Sequence, residues 1–278
     1  MKYLKIIFSV LFVILVAVLL VRSCVHKREY RTISRGETLA IKKPAVSNVS
    51  ARDVVRSASP RMALVLDDWG MNLALLDDVL NLQKPLTVAV IPHLKHSRDI
   101  AKKAHESGLG VILHMPMEPK STKENLEPHT IMVTMPDTQI LEYLDSAIAD
   151  IPQVEGMNNH MGSAATADRR VMNVVLKELK AKNLFFLDSN VSPDTVGWKV
   201  AQELGLAHTK RDVFIDNNPK KEEVKKQIKR AIRVSLAQKR VVVIGHDKKA
   251  TLEALKEMAP EIDKAGIKMV LVKELLEK

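Results

Sequence analysis

Cysteine is almost absent from this 278-residue chain: Cys24 is the only one, so no intrachain disulfide can form. Aromatic residues make up only 4% of the chain and do not interleave with the basic ones. Stacking platforms for nucleic acid are therefore missing, and the net charge of +10 needs another explanation. No internal repeat of about 20–50 residues is visible, which argues against a solenoid. What is present is a string of short apolar runs, most of them ending in or near an acid or a histidine.

The positive charge lies mainly in two places, residues 22–61 and a helical stretch from Lys220 to Arg240. The first follows an apolar segment, Ile6–Val21, broken only by Ser9 and preceded by Lys2 and Lys5. As a helix it would span about 24 Å, between a signal-peptide core and a full membrane span. No small-residue cleavage site follows it. Residues 1–26 are read as a signal anchor or signal peptide, with the inner membrane as partner, and residues 27–60 as a basic linker beside anionic lipid. The flanking charges alone favour a cytoplasmic C-terminal side. Val21-Arg22-Ser23-Cys24 loosely resembles a lipoprotein signal; the alternative is an ordinary juxtamembrane cysteine.

From Arg61 the texture changes. Strand-like runs occur at 62–66, 86–91, 110–113, 154–157, 184–187, 212–215, 240–244 and 268–272. Helical stretches separate most of them, over 97–107, 137–149, 169–182 and 220–240. Asp168 stands as a cap before the third, and Gly108 follows the first. Val224, Ile228, Ile232 and Leu236 give the last an apolar stripe, leaving its lysines and arginines on a solvated face. Alternating strands and helices predict a parallel sheet with helical crossovers. Seven to eight such units suit an α/β fold, a (β/α) barrel, incomplete or distorted, over residues 61–278.

Barrels gather their chemistry at the C-terminal ends of the strands. Here those ends carry Asp67-Asp68, His93, His114, His160, Asp188, the Asp212–Asn217 segment and His246. One carboxylate with two imidazoles is a common catalytic zinc sphere, leaving a position open for water. A second carboxylate can take the proton of that water, and a histidine can protonate a leaving amine. The bland readings are a charged turn capping a helix over 71–80 for the acid pair and backbone-bonded core positions for the histidines. His26, His96, His105, His129 and His208 are expected on the surface or in helices.

These residues resemble a known family. Leu-Asp67-Asp68-Trp69-Gly resembles the Asp-Asp-Gly motif of polysaccharide deacetylases. The strings His114-Met-Pro-Met-Glu118, Asn158-Asn159-His160-Met-Gly-Ser163, Phe-Phe-Leu-Asp188-Ser, Arg211-Asp212-Val-Phe-Ile-Asp216-Asn217 and Ile-Gly-His246 are similar to the divergent bacterial branch. The resemblance covers residues 61–275. It implies Asp67 as catalytic base, Asp68 as metal ligand and His246 as general acid. The usual His-x-x-x-His pair and the Arg-Pro motif are absent, so His114 and His160 stand in as ligands of a divalent metal, zinc. Asp188 is read as a further catalytic carboxylate, with a helix cap or a histidine orienter as alternatives. Trp69, Glu118, Asn159 and Asp212 are read as substrate-binding, with packing and turn roles as their alternatives. The resemblance also implies export to the extracytoplasmic face of the membrane and N-acetylated glycans, such as peptidoglycan, as substrate. Competing readings are a catalytically silent barrel that binds glycan or an envelope protein, and a hydrolase for an ester or another amide.

Overall fold

A computed structural model describes residues 59–277; the expected signal anchor or signal peptide and the expected linker up to residue 58 lie outside the described residues. Among the described residues no helix is long and apolar enough to cross a membrane.

Strands β1 (Arg61–Trp69), β2 (Thr87–Val90), β3 (Gly110–Met117), β4 (Gly156–Met161), β5 (Phe185–Asp188), β6 (His208–Lys210), β7 (Val213–Phe214), β8 (Arg240–His246) and β9 (Lys268–Val270) form one parallel sheet. Its order is β6-β5-β4-β3-β2-β1-β8-β7, with β9 also paired to β1. The consecutive strands β6 and β7 are the two ends of that order and do not pair. The sheet is thus a barrel left open, as the alternating pattern predicted.

Both faces of the strands are buried, which is why they read as unbroken apolar runs. The inner face carries Ala63, Val65, Ala89, Ile112, Leu187, Val242 and Ile244. The outer face carries Leu64, Leu66, Val88, Leu113, Met115 and Phe186 against the helices. Those are α1 (Leu76–Leu80), α2 (Ser97–Glu106), α3 (Asp137–Asp150), α4 (Arg169–Ala181), α5 (Gly197–Glu203), α6 (Lys221–Gln238) and α7 (Lys249–Lys264).

Local signals behave as their chemistry dictates. Asp168 caps α4 by accepting from the Val171 amide at 2.9 Å. Gly108 ends α2 with φ +80°, a conformation open to a residue without Cβ. On α6, Lys221 and Lys225 pair with Glu257 of α7 at 2.8 and 2.9 Å, so its charges form a solvated, ion-paired face.

Three expectations need correction. The helix foreseen over 71–80 shrinks to α1, because Met71 and Leu73 have no apolar surface to meet and stay exposed. Ser235 is buried where Leu236 was expected; Leu236 is 43% exposed. His208 is buried rather than on the surface: it lies in β6, and its Nδ1 donates to the Leu206 carbonyl at 2.9 Å. His-Thr-Lys has no apolar run, so β6 left no trace in the sequence pattern.

Candidate active site

Side chains alternate faces along a strand. The inner series Ala63, Val65 continues to Asp67, Ile112 continues to His114, and Val242, Ile244 continue to His246. On β4, Asn158 and His160 share one face. Register places Asp67 beside His246 and His114 beside Asn158. Strands β8, β1, β3 and β4 therefore deliver inward residues to one point, β1 and β3 from either side of β2.

Asp68 breaks the alternation. By parity it should face outward, but β1 bulges against β2: Leu66 and Trp69 pair with Val88 and Val90. Asp68 sits in the bulge at φ +69°, a left-handed conformation that aspartate tolerates better than most residues. The kink turns two successive carboxylates inward and sends Trp69 out.

Asp68 Oδ1 lies 3.2 Å from His114 Nε2 and 3.0 Å from His160 Nδ1, and these two nitrogens are 3.1 Å apart. A tetrahedral ion with bonds of about 2.0–2.1 Å separates its ligand atoms by about 3.3 Å. The near-equilateral triangle of one carboxylate oxygen and two imidazole nitrogens fits a divalent ion. His114 Nδ1 donates to Asn158 Oδ1 at 2.7 Å, so the neutral ring presents its Nε2 lone pair to the triangle. Asn158 Nδ2 donates to Asp67 Oδ1 at 2.9 Å, so one amide holds both a ligand and the acid beside it.

Burial pushes the Asp67 carboxyl up, against the opposing pull of His114. Burial also pushes Asp68 up, but hydrogen bonds from His114 and His160 overcome it and hold Asp68 well below the usual carboxylate range. His114, pushed down by its burial, is raised to about 9 by the Asp67 charge and its contact with Asp68. His246 Nδ1 donates to Asp216 Oδ1 at 2.8 Å, and its Nε2 faces Asp68 Oδ2 at 3.6 Å. Desolvation lowers His246, yet the Asp216 contact wins and the net shift is upward. Asp216 is itself locked by the His246 amide and Thr251 Oγ1, at 2.8 and 2.7 Å.

Asp67, Asp68, His114, His160 and His246 thus come together. The other expected site residues do not. Trp69 is fully buried in the sheet–helix core, so it packs rather than walling a cleft. Asn159 faces outward; its amide ties Ser189 N and Met161 O, which fastens β4 to the end of β5. The Glu118 carboxylate accepts from Val133 N at 2.5 Å and anchors the loop after β3. Asp212 accepts from Val242 N at 2.7 Å, about 13 Å down the strand from His246.

Asp188 is on the outer face with Phe186. Its oxygens accept from Asn190 N, Thr195 Oγ1 and Trp198 N at 2.8, 2.8 and 3.1 Å. This is the helix-capping alternative, at the entry to α5. Asp188→Ala strands three donors in a fully buried setting and is expected to cost about 2–4 kcal/mol of stability in urea unfolding. Turnover per folded molecule should stay unchanged; a thousand-fold loss in a stable variant would return Asp188 to the catalytic set.

Two site residues escaped the sequence reading. Asn158 could have been found by parity, since it stands two residues before His160. Glu127, whose Oε2 is 3.3 Å from His160 Nε2, comes from an irregular loop and left no signal.

An open parallel barrel with an acid pair and two histidines converging at its strand ends is the setting for the comparison with known proteins. The chain belongs to the divergent polysaccharide deacetylase family, whose profile matches residues 64–276. It is 36% identical over 198 residues to the uncharacterised Escherichia coli protein YibQ, covering 71% of this chain and 62% of that one. The match thus spans less than two thirds of that relative. Among solved structures, an uncharacterised Agrobacterium tumefaciens protein is similar at TM-score 0.74 and 18% identity, over 79% of this chain and 90% of the other. The catalytic domain of a Eubacterium rectale peptidoglycan N-acetylglucosamine deacetylase is similar at TM-score 0.50 and 15% identity, over 77% and 89%. At the same TM-score and 17% identity stands a Bacillus anthracis pseudoenzyme of carbohydrate esterase family 4, as a mutant with restored activity, over 78% and 67%.

Proposed function

We propose that this protein is a metal-dependent hydrolase that removes N-acetyl groups from a cell-envelope glycan. The observation that carries it is the triangle of Asp68, His114 and His160 with a separate acid, Asp67, and a separate histidine, His246, on its flanks. Asp68, His114 and His160 would hold the ion, with zinc as the expected occupant. A bound divalent ion supplies Lewis-acid polarisation of a carbonyl and a more acidic water.

The protein's own residues supply the proton traffic. Asp67 is held by Asn158 through one oxygen and accepts the proton of the attacking water. The water oxygen bonds to the acetyl carbon. His246, braced by Asp216, gives its Nε2 proton to the leaving nitrogen as the C–N bond breaks. Acetate and a free amine result, and the proton taken by Asp67 balances the one His246 gave. The upward shift of His246 keeps the proton it must donate.

The chemistry and the family support an N-acetylated glycan such as peptidoglycan, met at the extracytoplasmic face of the membrane by a chain tethered through residues 6–21. Purified protein loaded with zinc should release acetate from N-acetylglucosamine oligomers, lose that activity to a chelator and regain it with added zinc. Full turnover by a metal-free preparation would sink the mechanism. The second reading is a silent, glycan-binding barrel, favoured by the pseudoenzyme of the same fold. Tight glycan binding with no acetate released would select it.

A further inference from the structure

We propose that Glu127 is a positioning residue of the metal centre: it accepts the Nε2 proton of His160 and so leaves the Nδ1 lone pair for the ion. The inference deepens the proposed function and rests on its metal site, though not on any substrate.

His160 turns its Nδ1 into the triangle, toward Asp68 and His114. Its other nitrogen, Nε2, faces Glu127 Oε2 at 3.3 Å. Both atoms are shut off from solvent, and neither makes a hydrogen bond among the described residues; they stand within reach of each other but out of line for a bond until the ring or the carboxylate turns. Two orphaned buried atoms, one a ring nitrogen able to donate and one a carboxylate oxygen able to accept, are costly apart and satisfied together. A histidine bound to a metal through one nitrogen commonly gives its other proton to a carboxylate or carbonyl, which fixes its tautomer and raises its basicity. His114 already has such a partner in Asn158. Glu127 is the corresponding partner for His160.

Glu127 is not a loose surface acid. Residues 120–126 are exposed, and the chain turns inward at Glu127. The Glu127 carbonyl accepts from Thr130 Oγ1 at 2.7 Å. The ring of His129 lies against both His93 and Tyr143, with centroids 4.9 Å away in each case. The Glu118–Val133 contact pins the far side of the same loop. The acid therefore reaches His160 from a braced segment.

The experiment compares zinc affinity of wild type, Glu127→Ala and Glu127→Gln by competition with a chromophoric chelator. It adds ¹⁵N NMR of the His160 ring in the zinc-loaded proteins. Glu127→Ala should weaken zinc binding about 10–100-fold and speed exchange of the Nε2 proton. Glu127→Gln keeps an acceptor oxygen and should recover most of the affinity and a protected Nε2–H. Thermal unfolding of the ion-free proteins separates these effects from misfolding. Unchanged affinity and proton protection in Glu127→Ala overturns the proposal while the metal site stands. A Gln variant as weak as Ala overturns it too, since charge or direct ligation would then be at work. A wild type that takes up no zinc overturns the metal reading and this one together.

Discussion

Asp67→Asn is expected to lower acetate release by about 10³-fold while leaving zinc uptake and folding intact. The carboxylate stands beside the proposed ion ligands without belonging to their triangle: its Oδ2 is 3.8 Å from His114 Nε2. Asparagine keeps the shape and an oxygen that can accept from Asn158 Nδ2. What it removes is the basic oxygen that takes the proton of water. Burial works against the ionised carboxyl here, so the neutral amide should melt no lower than the native protein. Rates of acetate release, read beside metal content by mass spectrometry, check the prediction. Undiminished turnover would place the base elsewhere.

The second large effect is on the ion. His114→Ala should weaken zinc binding by more than the about 10–100-fold typical of losing an outer hydrogen-bond partner, because a ligand itself is gone. In the ion-free protein His114 is raised to about 9, so at neutral pH it carries a proton that zinc must displace. Apparent affinity should then fall about tenfold per pH unit below that value, and calorimetry in buffers of different ionisation enthalpy should detect a released proton.

Linkage gives the stability of the ion-free protein a matching sign. His114 is raised from 6.5, so its contribution is complete below about pH 6.5 and is lost as pH climbs to about 9. Asp68 is lowered from 3.8, so its contribution is present above that value and is lost toward stronger acid. Between about pH 4 and 6.5 both contributions are present together; the raised carboxyl of Asp67 works the other way, its contribution falling as pH rises above 3.8. Zinc, which needs a neutral His114, should move the stability optimum upward. A stability profile unmoved by zinc would exclude His114 as a ligand.

Much of this was legible without coordinates. Unbroken apolar runs separated by amphipathic stretches are enough for a parallel sheet wrapped by helices, because a strand buried on both faces has no polar alternation to show. The acid or histidine at the end of each run pointed to the right end of the barrel. Parity decided which of those residues were real members. Asp67, His114, Asn158, His160 and His246 fall on the inward count of their strands. Asn159 and Asp188 fall on the outward count and went to strand fastening and helix capping; Trp69 shares the parity of Asp67, and the bulge turned it outward into packing. Glu118 and Asp212 lie beyond that count and spend their carboxylates on backbone amides.

Chain order alone therefore determined the fold class, the functional end of the barrel and most of the polar residues gathered there, since these follow from local periodicity and from where apolar runs stop. Only the tertiary structure decided three things. The bulge at Asp68 turned a second carboxylate inward against the alternation. The register of β3 against β4 set two histidine nitrogens 3.1 Å apart. The braced loop carried Glu127 to His160. Each depends on contacts between residues distant in sequence, and no spacing along the chain encodes a distance across it.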